Sequence, residues 1–249
     1  MADAGHLRNA PIQEALVDLR IAASEMDESE AHAALESLFS KLRSRYPVPL
    51  WQRKFEARVD SKPKAPHAEA RDLGLHSLVL QDGARSRVVQ FRLGGFTSSK
   101  LRGYTSGDDL FQEALQVWEL YAAALSPVAT IRVAVRYINR LVLPLHAGDD
   151  FAKFLTSSAT MPPGTPQAVS EFLVRTVAHP DPDTIAVVTQ RLEKGTEEGT
   201  PFVLDIDVFR PGRFSVAVAD LEPILQQLRV IKNQMFFAFV TDEALEPYR

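Results

Sequence analysis

The segment from residue 130 to 143, TIRVAVRYINRLVL, constrains the fold more than any other part of the chain. Its β-branched and aromatic residues favour a strand over a helix. Alternate residues of a strand face opposite sides, so Val133, Val135 and Tyr137 share one largely apolar face. The segment therefore predicts a sheet with one face packed on a core and one face carrying charge.

Three arginines, Arg132, Arg136 and Arg140, recur on the second face of this predicted strand. At about 3.3 Å per residue, successive arginines lie about 13 Å apart. One interpretation is structural, with each guanidinium paired to a carboxylate on a neighbouring strand. The other is an anion-binding face, because guanidinium groups grip carboxylates and phosphates in bidentate fashion. Tyr137 is included as a candidate ligand-binding residue because of its place on the same strand.

A second strand, FVLDIDVF at 202–209, supplies carboxylates on one side. Asp205 and Asp207 would lie about 6–7 Å apart along that strand. They could pair with the arginines, or they could hold a divalent cation or act as an acid and a base. Two carboxylates are fewer oxygen ligands than Mg²⁺ or Ca²⁺ takes, so we predict neither a metal site nor a cofactor.

The remaining pattern alternates single helices with groups of strands, which is typical of an α+β fold with antiparallel strands. Residues 9–127 and 128–249 each read β-α-β-β-β-α. We therefore predict a single domain over 1–249, with a large, mostly antiparallel twisted sheet or half-barrel and long helices on one face. The polar stretch 60–74 is predicted to be a loop, 86–102 a single strand, and a short helix begins near Gly148-Asp149.

The two later helices carry features of their own. Ser106 and Asp109 have the spacing of a helix cap, and an anion held at this helix start would be repelled by the neighbouring Asp108 and Asp109. In the last helix, Arg229, Lys232 and Asn233 interrupt a strongly apolar surface. The Phe-rich end of that helix favours burial in the core and is also compatible with a homodimer interface.

Composition excludes several functions. The chain has 249 residues with 28 Lys+Arg against 32 Asp+Glu, so its formal charge of -4 gives no global attraction to nucleic acid or anionic membranes. Cysteine is absent, which excludes thiol nucleophiles and thiolate metal sites, and the six histidines lack zinc-site spacing. The start has no secretory-signal pattern and the longest apolar run is short, so the expectations are no membrane span and a cytoplasmic location.

Five stretches together resemble a known family: NAPIQEALVDLRI, RGYTSGDDLFQEALQVWELY, RYINRLVLP, VLDIDV and LRVIKNQMFFAFVTDE. The chain is similar to a sporadically distributed bacterial family of uncharacterised proteins of about this length. The resemblance spans Asn9 to Glu243 and is most distinctive at RYINR. It implies one family-wide fold and a bacterial, cytosolic setting, and it transfers no catalytic residue.

Two hypotheses for function follow. The first is a non-enzymatic binding or accessory protein that recognises a peptide, a partner protein or a small anionic ligand through the arginine-lined face. The alternative is a metal-assisted enzyme for a phosphorylated or nucleotide-like substrate, with arginines on the phosphate and Asp205 or Asp207 on the metal. Binding of nucleic acid is disfavoured by the acidic net charge.

Overall fold

The computed structural model describes residues 7–22, 26–60, 67–145 and 149–249. Within these ranges the chain forms nine strands and four helices, which confirms the predicted α+β class. The strands are β1 (Ile12–Ile21), β2 (Val48–Asp60), β3 (His67–Gln81), β4 (Arg87–Arg92), β5 (Gly95–Lys100), β6 (Thr130–Leu143), β7 (Phe172–Asp181), β8 (Thr184–Leu192) and β9 (Thr200–Phe214). The helices are α1 (Glu28–Leu42), α2 (Gly107–Leu125), α3 (Val218–Phe239) and α4 (Asp242–Leu245), with 3₁₀ turns at Phe151–Lys153 and Glu246–Tyr248.

The strands make one twisted antiparallel sheet in the order β2-β3-β4-β5-β1-β6-β9-β8-β7. The pairing of β1 with β6 joins the two predicted halves, because β1 to β5 lie on one side of that junction and β6 to β9 on the other. Val17 pairs with Val135 and Val135 with Val208, so the core-facing residues of β1, β6 and β9 align across the centre of the sheet.

Three local predictions are wrong. The predicted strand 86–102 is a hairpin, because Leu93 and Gly94 form a two-residue turn between β4 and β5, and the first half has one strand more than expected. The predicted loop 60–74 belongs to β3 from His67 onward, while 61–66 lie outside the described residues. The predicted short helix is a single 3₁₀ turn at Phe151–Lys153, and Gly148 is likewise outside the described residues.

The helices α1, α2 and α3 pack on one face of the sheet, as predicted. That face is built from alternate strand residues such as Val17, Leu19 and Val133, which are fully buried. Trp118 of α2 is also fully buried, and its indole N–H donates to the Val216 carbonyl at 2.9 Å. Because large apolar side chains each gain about 1.5–3 kcal/mol from burial, this face supplies most of the fold's stabilisation.

The last long helix, α3, belongs to this core. Its buried positions are Leu221, Leu225, Leu228, Lys232 and Phe236. Phe237 and Phe239 are half-buried and pack against the same core. The core interpretation of the Phe-rich segment is therefore confirmed, and a homodimer interface stays a prediction.

Among the helices of the described residues, none combines the length and apolar character that crossing a membrane requires.

Candidate functional site

The arginines of β6 lie on the side of the sheet away from the helices, and each is paired with a carboxylate. Arg132 donates to Asp18 at 2.5 Å and to both oxygens of Asp207 at 2.9 and 3.0 Å, and its guanidinium stacks 4.2 Å from the centre of the Phe209 ring. The side chain of Arg132 is only 13% exposed. Its donors are thus largely used by the protein itself.

The other two arginines are more exposed and are also paired. Arg136 makes a bidentate contact with Asp205 at 2.8 and 2.6 Å. Arg140 donates to Glu193 at 3.2 Å. The partners of Arg132 and Arg136 lie on the neighbouring strands β1 and β9, as the ion-pair interpretation expects, and Glu193 follows the end of β8.

Asp18 of β1, which sequence reasoning missed, is the centre of this network. Its carboxylate accepts from Arg132, from Arg92 of β4 at 2.7 Å and from the Thr97 hydroxyl of β5 at 2.9 Å. Burial alone would raise the pKa of Asp18, but Arg132, Arg92 and Thr97 outweigh it and hold that pKa below its usual range. The residues Asp18, Arg92, Thr97, Arg132, Arg136, Asp205 and Asp207 are called the polar sheet face below.

Asp205 and Asp207 face the same side, as strand alternation predicts, but their oxygens are occupied by guanidinium groups. Burial raises the pKa of Asp207 in spite of Arg132 and Arg136. Over the described ranges, no group of three or more His, Asp or Glu side chains is placed to hold a metal ion. The polar sheet face has the geometry of a structural ion-pair network.

Tyr137 lies on the opposite face of β6, among the core residues, and does not contact the arginines. Its hydroxyl is 3.4 Å from that of Tyr104, and the two rings meet edge to face with centres 5.7 Å apart. The amine of Lys232 lies 3.8 Å from the centre of the Tyr137 ring. Tyr137 therefore lies in a different part of the molecule from the arginines of β6, next to Tyr104 and Lys232.

That part is a cavity of about 490 Å³ between the N-terminal segment, the loop before α2 and the last turns of α3. We call it the lysine cavity; its polar lining includes Arg8, Tyr104, Gly107, Asn139, Arg229 and Lys232. Phe236 and Phe237 give it an apolar wall. Its volume is within the range of small-molecule sites, about 300–1,000 Å³.

Lys232 is the unusual residue of this cavity. It is 6% exposed, and within the described part of the chain its amine meets no carboxylate, only the face of the Tyr137 ring. Burial, with a smaller contribution from the charge of Arg229, lowers the pKa of Lys232 to about 7. Buried lysines are ordinarily paired, so a lysine beside a cavity with no carboxylate partner among the described residues is a candidate for a functional site.

Arg229 lies one turn before Lys232 and crosses the start of α2. It donates to Asp108 at 2.8 Å through one nitrogen. Gly107 makes this path available, because a Cβ there would lie 2.5 Å from two atoms of the Arg229 side chain. Asp108 thus neutralises part of the Arg229 charge, while its own side chain is 69% exposed and points away from the lining of the cavity.

The charge at the cavity is positive. Among the described lining residues are Arg8, Arg229 and Lys232, and none is Asp or Glu. The first-turn N–H groups of α2 add partial positive charge, because Ser106 and Gly107 line the cavity and a helix leaves its first four N–H groups without intrahelical acceptors. The expected repulsion by Asp108 and Asp109 is reduced, since Asp108 is paired with Arg229 and Asp109 accepts from Thr105.

Comparison with known proteins does not assign the chain to a family. No family model matches the chain, and no curated protein matches it. Two solved structures of the S. pombe Pct1 RNA triphosphatase are similar at low level. The one in complex with the Spt5 CTD shares 10% identity over 92% of this chain and 87% of that chain, with a TM-score of 0.14, and the other shares 9% over 90% and 84%, also with a TM-score of 0.14. Scores this low support no inference about fold or function.

Proposed function

We propose that the protein binds a small anionic ligand in the lysine cavity, and that binding does not use the arginines of the polar sheet face. The observation that carries this proposal is Lys232, a buried cation that meets no carboxylate of the described residues and lines a cavity with two further cations, Arg229 and Arg8. An anion bound there would supply the counter-charge that the amine otherwise lacks.

The lining also indicates the kind of ligand. Arg229 uses one guanidinium nitrogen for Asp108 and keeps its other N–H groups for a ligand oxygen. Phe236 and Phe237 contribute apolar surface on the other side. A carboxylate or phosphate attached to a short apolar carbon chain fits this combination.

The metal-assisted alternative has no observation in its favour, because the carboxylates assigned to the metal are held by guanidinium groups. A peptide or protein partner stays a prediction.

The test is calorimetric titration of the protein with inorganic phosphate, acetate and pyruvate as probes. We expect binding of at least one of them, and a ligand present at about 100 times its Kd should raise the free energy of unfolding by about 2.7 kcal/mol. Lys232→Met and Arg229→Met should each remove binding. Arg136→Met and Arg140→Met, on the opposite face of the sheet, are the matched controls and should leave it unchanged.

Binding should also depend on pH. The titratable groups at the cavity and against Lys232 are Arg8, Arg229, Tyr104 and Tyr137, and Asp108 is the carboxylate paired with Arg229. The arginines stay protonated, the hydrogen bond from Gln226 together with Arg229 lowers the pKa of Asp108, and burial raises the pKa of both tyrosines. Near neutral pH the titrating group is therefore Lys232.

Because the protonated amine attracts the anion, affinity should fall above pH 7 by up to about tenfold per pH unit. Binding that is lost in Arg136→Met but kept in Lys232→Met would assign the ligand to the polar sheet face and overturn the proposal.

A further inference from the structure

We propose that Lys232 is a nucleophile, whose side-chain amine condenses with the carbonyl group of a small 2-oxo carboxylate bound in the lysine cavity to form a Schiff base. This inference rests on the proposed function, because the carboxylate of such a ligand is the anion that the cavity would bind. It adds a covalent step and a substrate class.

The placement of the amine is the first argument. Lys232 lies on the buried stripe of α3, at a position otherwise given to leucine and phenylalanine, and yet it lines the cavity. It makes no ion pair with a described residue, so no carboxylate holds it protonated. An amine in an apolar site next to another cation is the arrangement that activates lysine for carbonyl chemistry.

The second argument is the spacing of Arg229 and Lys232. Residues three apart in a helix lie on the same side, with Cβ atoms about 5–6 Å apart. Both side chains line the lysine cavity, so the guanidinium can bind a carboxylate of a ligand whose adjacent carbon meets the amine. The carbonyl of a 2-oxo carboxylate is next to its carboxylate, so one molecule satisfies both groups.

The third argument is a proton donor at the same cavity. Tyr104 lines it, and its hydroxyl is 3.4 Å from the Tyr137 hydroxyl. Burial raises the pKa of Tyr104, so the hydroxyl keeps its proton at neutral pH. Tyr104 can therefore protonate the oxygen that leaves the carbonyl carbon.

The chemistry balances without a further reactant. The lone pair of the neutral Lys232 amine forms a bond to the carbonyl carbon, and the carbonyl electron pair moves to oxygen, which takes a proton. This first proton comes from the amine nitrogen, and Tyr104 supplies the second as the C–O bond breaks and water leaves. The remaining nitrogen proton returns to Tyr104 as the C=N bond forms. Amine and ketone thus give imine and water, with no change in oxidation state.

The supply of neutral amine favours this step. At pH 7, with a pKa of about 7, about half of the Lys232 side chains are uncharged, whereas an exposed lysine is almost fully protonated. The neutral fraction of Lys232 exceeds that of an exposed lysine by on the order of 10³-fold. Reaction with a carbonyl compound should therefore concentrate at this residue.

The experiment is reductive trapping of the full-length protein. The protein is incubated with pyruvate at pH 7, treated with sodium borohydride, and analysed by intact mass and peptide mapping. We expect one reduced pyruvyl group per chain on the peptide that contains Lys232. Labelling there should exceed labelling of Lys194, an exposed lysine in the loop between β8 and β9, by at least about tenfold, well inside the expected ratio.

Controls separate the covalent step from simple binding. Acetate has the carboxylate without the carbonyl and should bind without being trapped, and acetone has the carbonyl alone and should be trapped far less than pyruvate. Lys232→Met should lose the adduct while circular dichroism shows a folded protein. Arg229→Met should remove the preference for pyruvate over acetone.

The outcomes are distinct. If acetate and pyruvate bind by calorimetry but pyruvate leaves no adduct on Lys232, or labels exposed lysines equally, the nucleophile proposal fails and the anion-binding function stands. If neither compound binds and no adduct forms, both proposals fail.

Discussion

Replacing Lys232 with methionine should make the protein more stable, which is an unusual expectation for a fully buried residue. Methionine has a similar length, fills irregular apolar space and carries no charge. Lys232 as a residue is 6% exposed, and its amine lies 3.8 Å from the centre of the Tyr137 ring. The substitution therefore removes a poorly compensated buried charge without opening a large cavity.

The size of the effect follows from the pKa. Lowering it from 10.5 to about 7 corresponds to a cost of about 5 kcal/mol, at about 1.36 kcal/mol per pKa unit. Because methionine carries no charge, the free energy of unfolding at pH 6 should rise by up to about 5 kcal/mol, equivalent to a Tm increase of about 10–20 °C for a chain of this size.

The pH dependence makes the prediction specific. Below pH 7 Lys232 is protonated in both the folded and the unfolded state, so the gain from Lys232→Met is complete. Between about pH 7 and 10.5 the unfolded state of the wild type binds the proton that the folded state has released, so wild-type stability rises with pH and the gain shrinks. The gain should disappear above that range.

Urea denaturation of both proteins at pH values from 6 to 9.5 measures this difference. Lys194→Met is the matched control, because Lys194 is exposed and its replacement should change stability by less than about 0.5 kcal/mol at each pH. A loss of stability in Lys232→Met at pH 6, or a gain of equal size at pH 6 and 9.5, would refute the reasoning.

Three further predictions concern stability, each measured by urea denaturation. Asp18→Asn leaves two guanidinium groups without their shared carboxylate and should lower the free energy of unfolding by about 3–5 kcal/mol at pH 7. This cost should diminish as pH falls through the lowered pKa of Asp18, because the wild type then also loses the charge. An unchanged free energy of unfolding would show that the network contributes nothing. Gly95→Ala would place a Cβ 2.7 Å from the Leu19 carbonyl oxygen and should lower the free energy of unfolding by about 1–3 kcal/mol. In the control Gly94→Ala the new Cβ meets nothing within 4 Å, so stability should change by less than about 0.5 kcal/mol. Equal effects would contradict the close approach of β5 and β1. Glu113→Gln weakens contacts with two arginines and a tyrosine hydroxyl and should cost about 1–3 kcal/mol, and an unchanged stability would exclude a structural role for that carboxylate.

The sequence predicts the centre of the fold well and its edges less well. The bounds of β6 match the predicted segment because β-branched, aromatic and leucine residues recur along it with no glycine or proline. The β4–β5 hairpin was missed because its turn, Leu93-Gly94, and the following Gly95 are too short a break to show that the chain reverses. Where the pattern runs through a turn, periodicity alone cannot show the reversal of the chain.

The polar sheet face could be predicted in part. Strand alternation correctly places Asp205 and Asp207 on the side of the arginines, because each assignment depends on one strand. The role of Asp18 depends on the register between β1 and β6, which the sequence of neither strand specifies.

The lysine cavity was missed for a different reason, since it combines the N-terminal segment, a loop and α3 from distant parts of the chain. One signal was available. Lys232 occupies a position of the apolar stripe of α3, four residues after Leu228 and four before Phe236, where a surface lysine would not be found.

Hydrogen bonds hold the segment 9–11, which flanks the lysine cavity, against β6 and against the 3₁₀ turn Glu246–Tyr248. The Asn9 N–H donates to the Tyr248 carbonyl at 3.1 Å, and the Tyr248 hydroxyl accepts from the Val142 N–H at 3.0 Å. The Pro11 carbonyl accepts from the backbone N–H of Arg140 at 2.7 Å. Tyr248 is not a lining residue of the cavity. Removing it would nevertheless free the Asn9 N–H, next to Arg8 in the chain, from its acceptor. The contacts of Tyr248 therefore belong to the support of the proposed site.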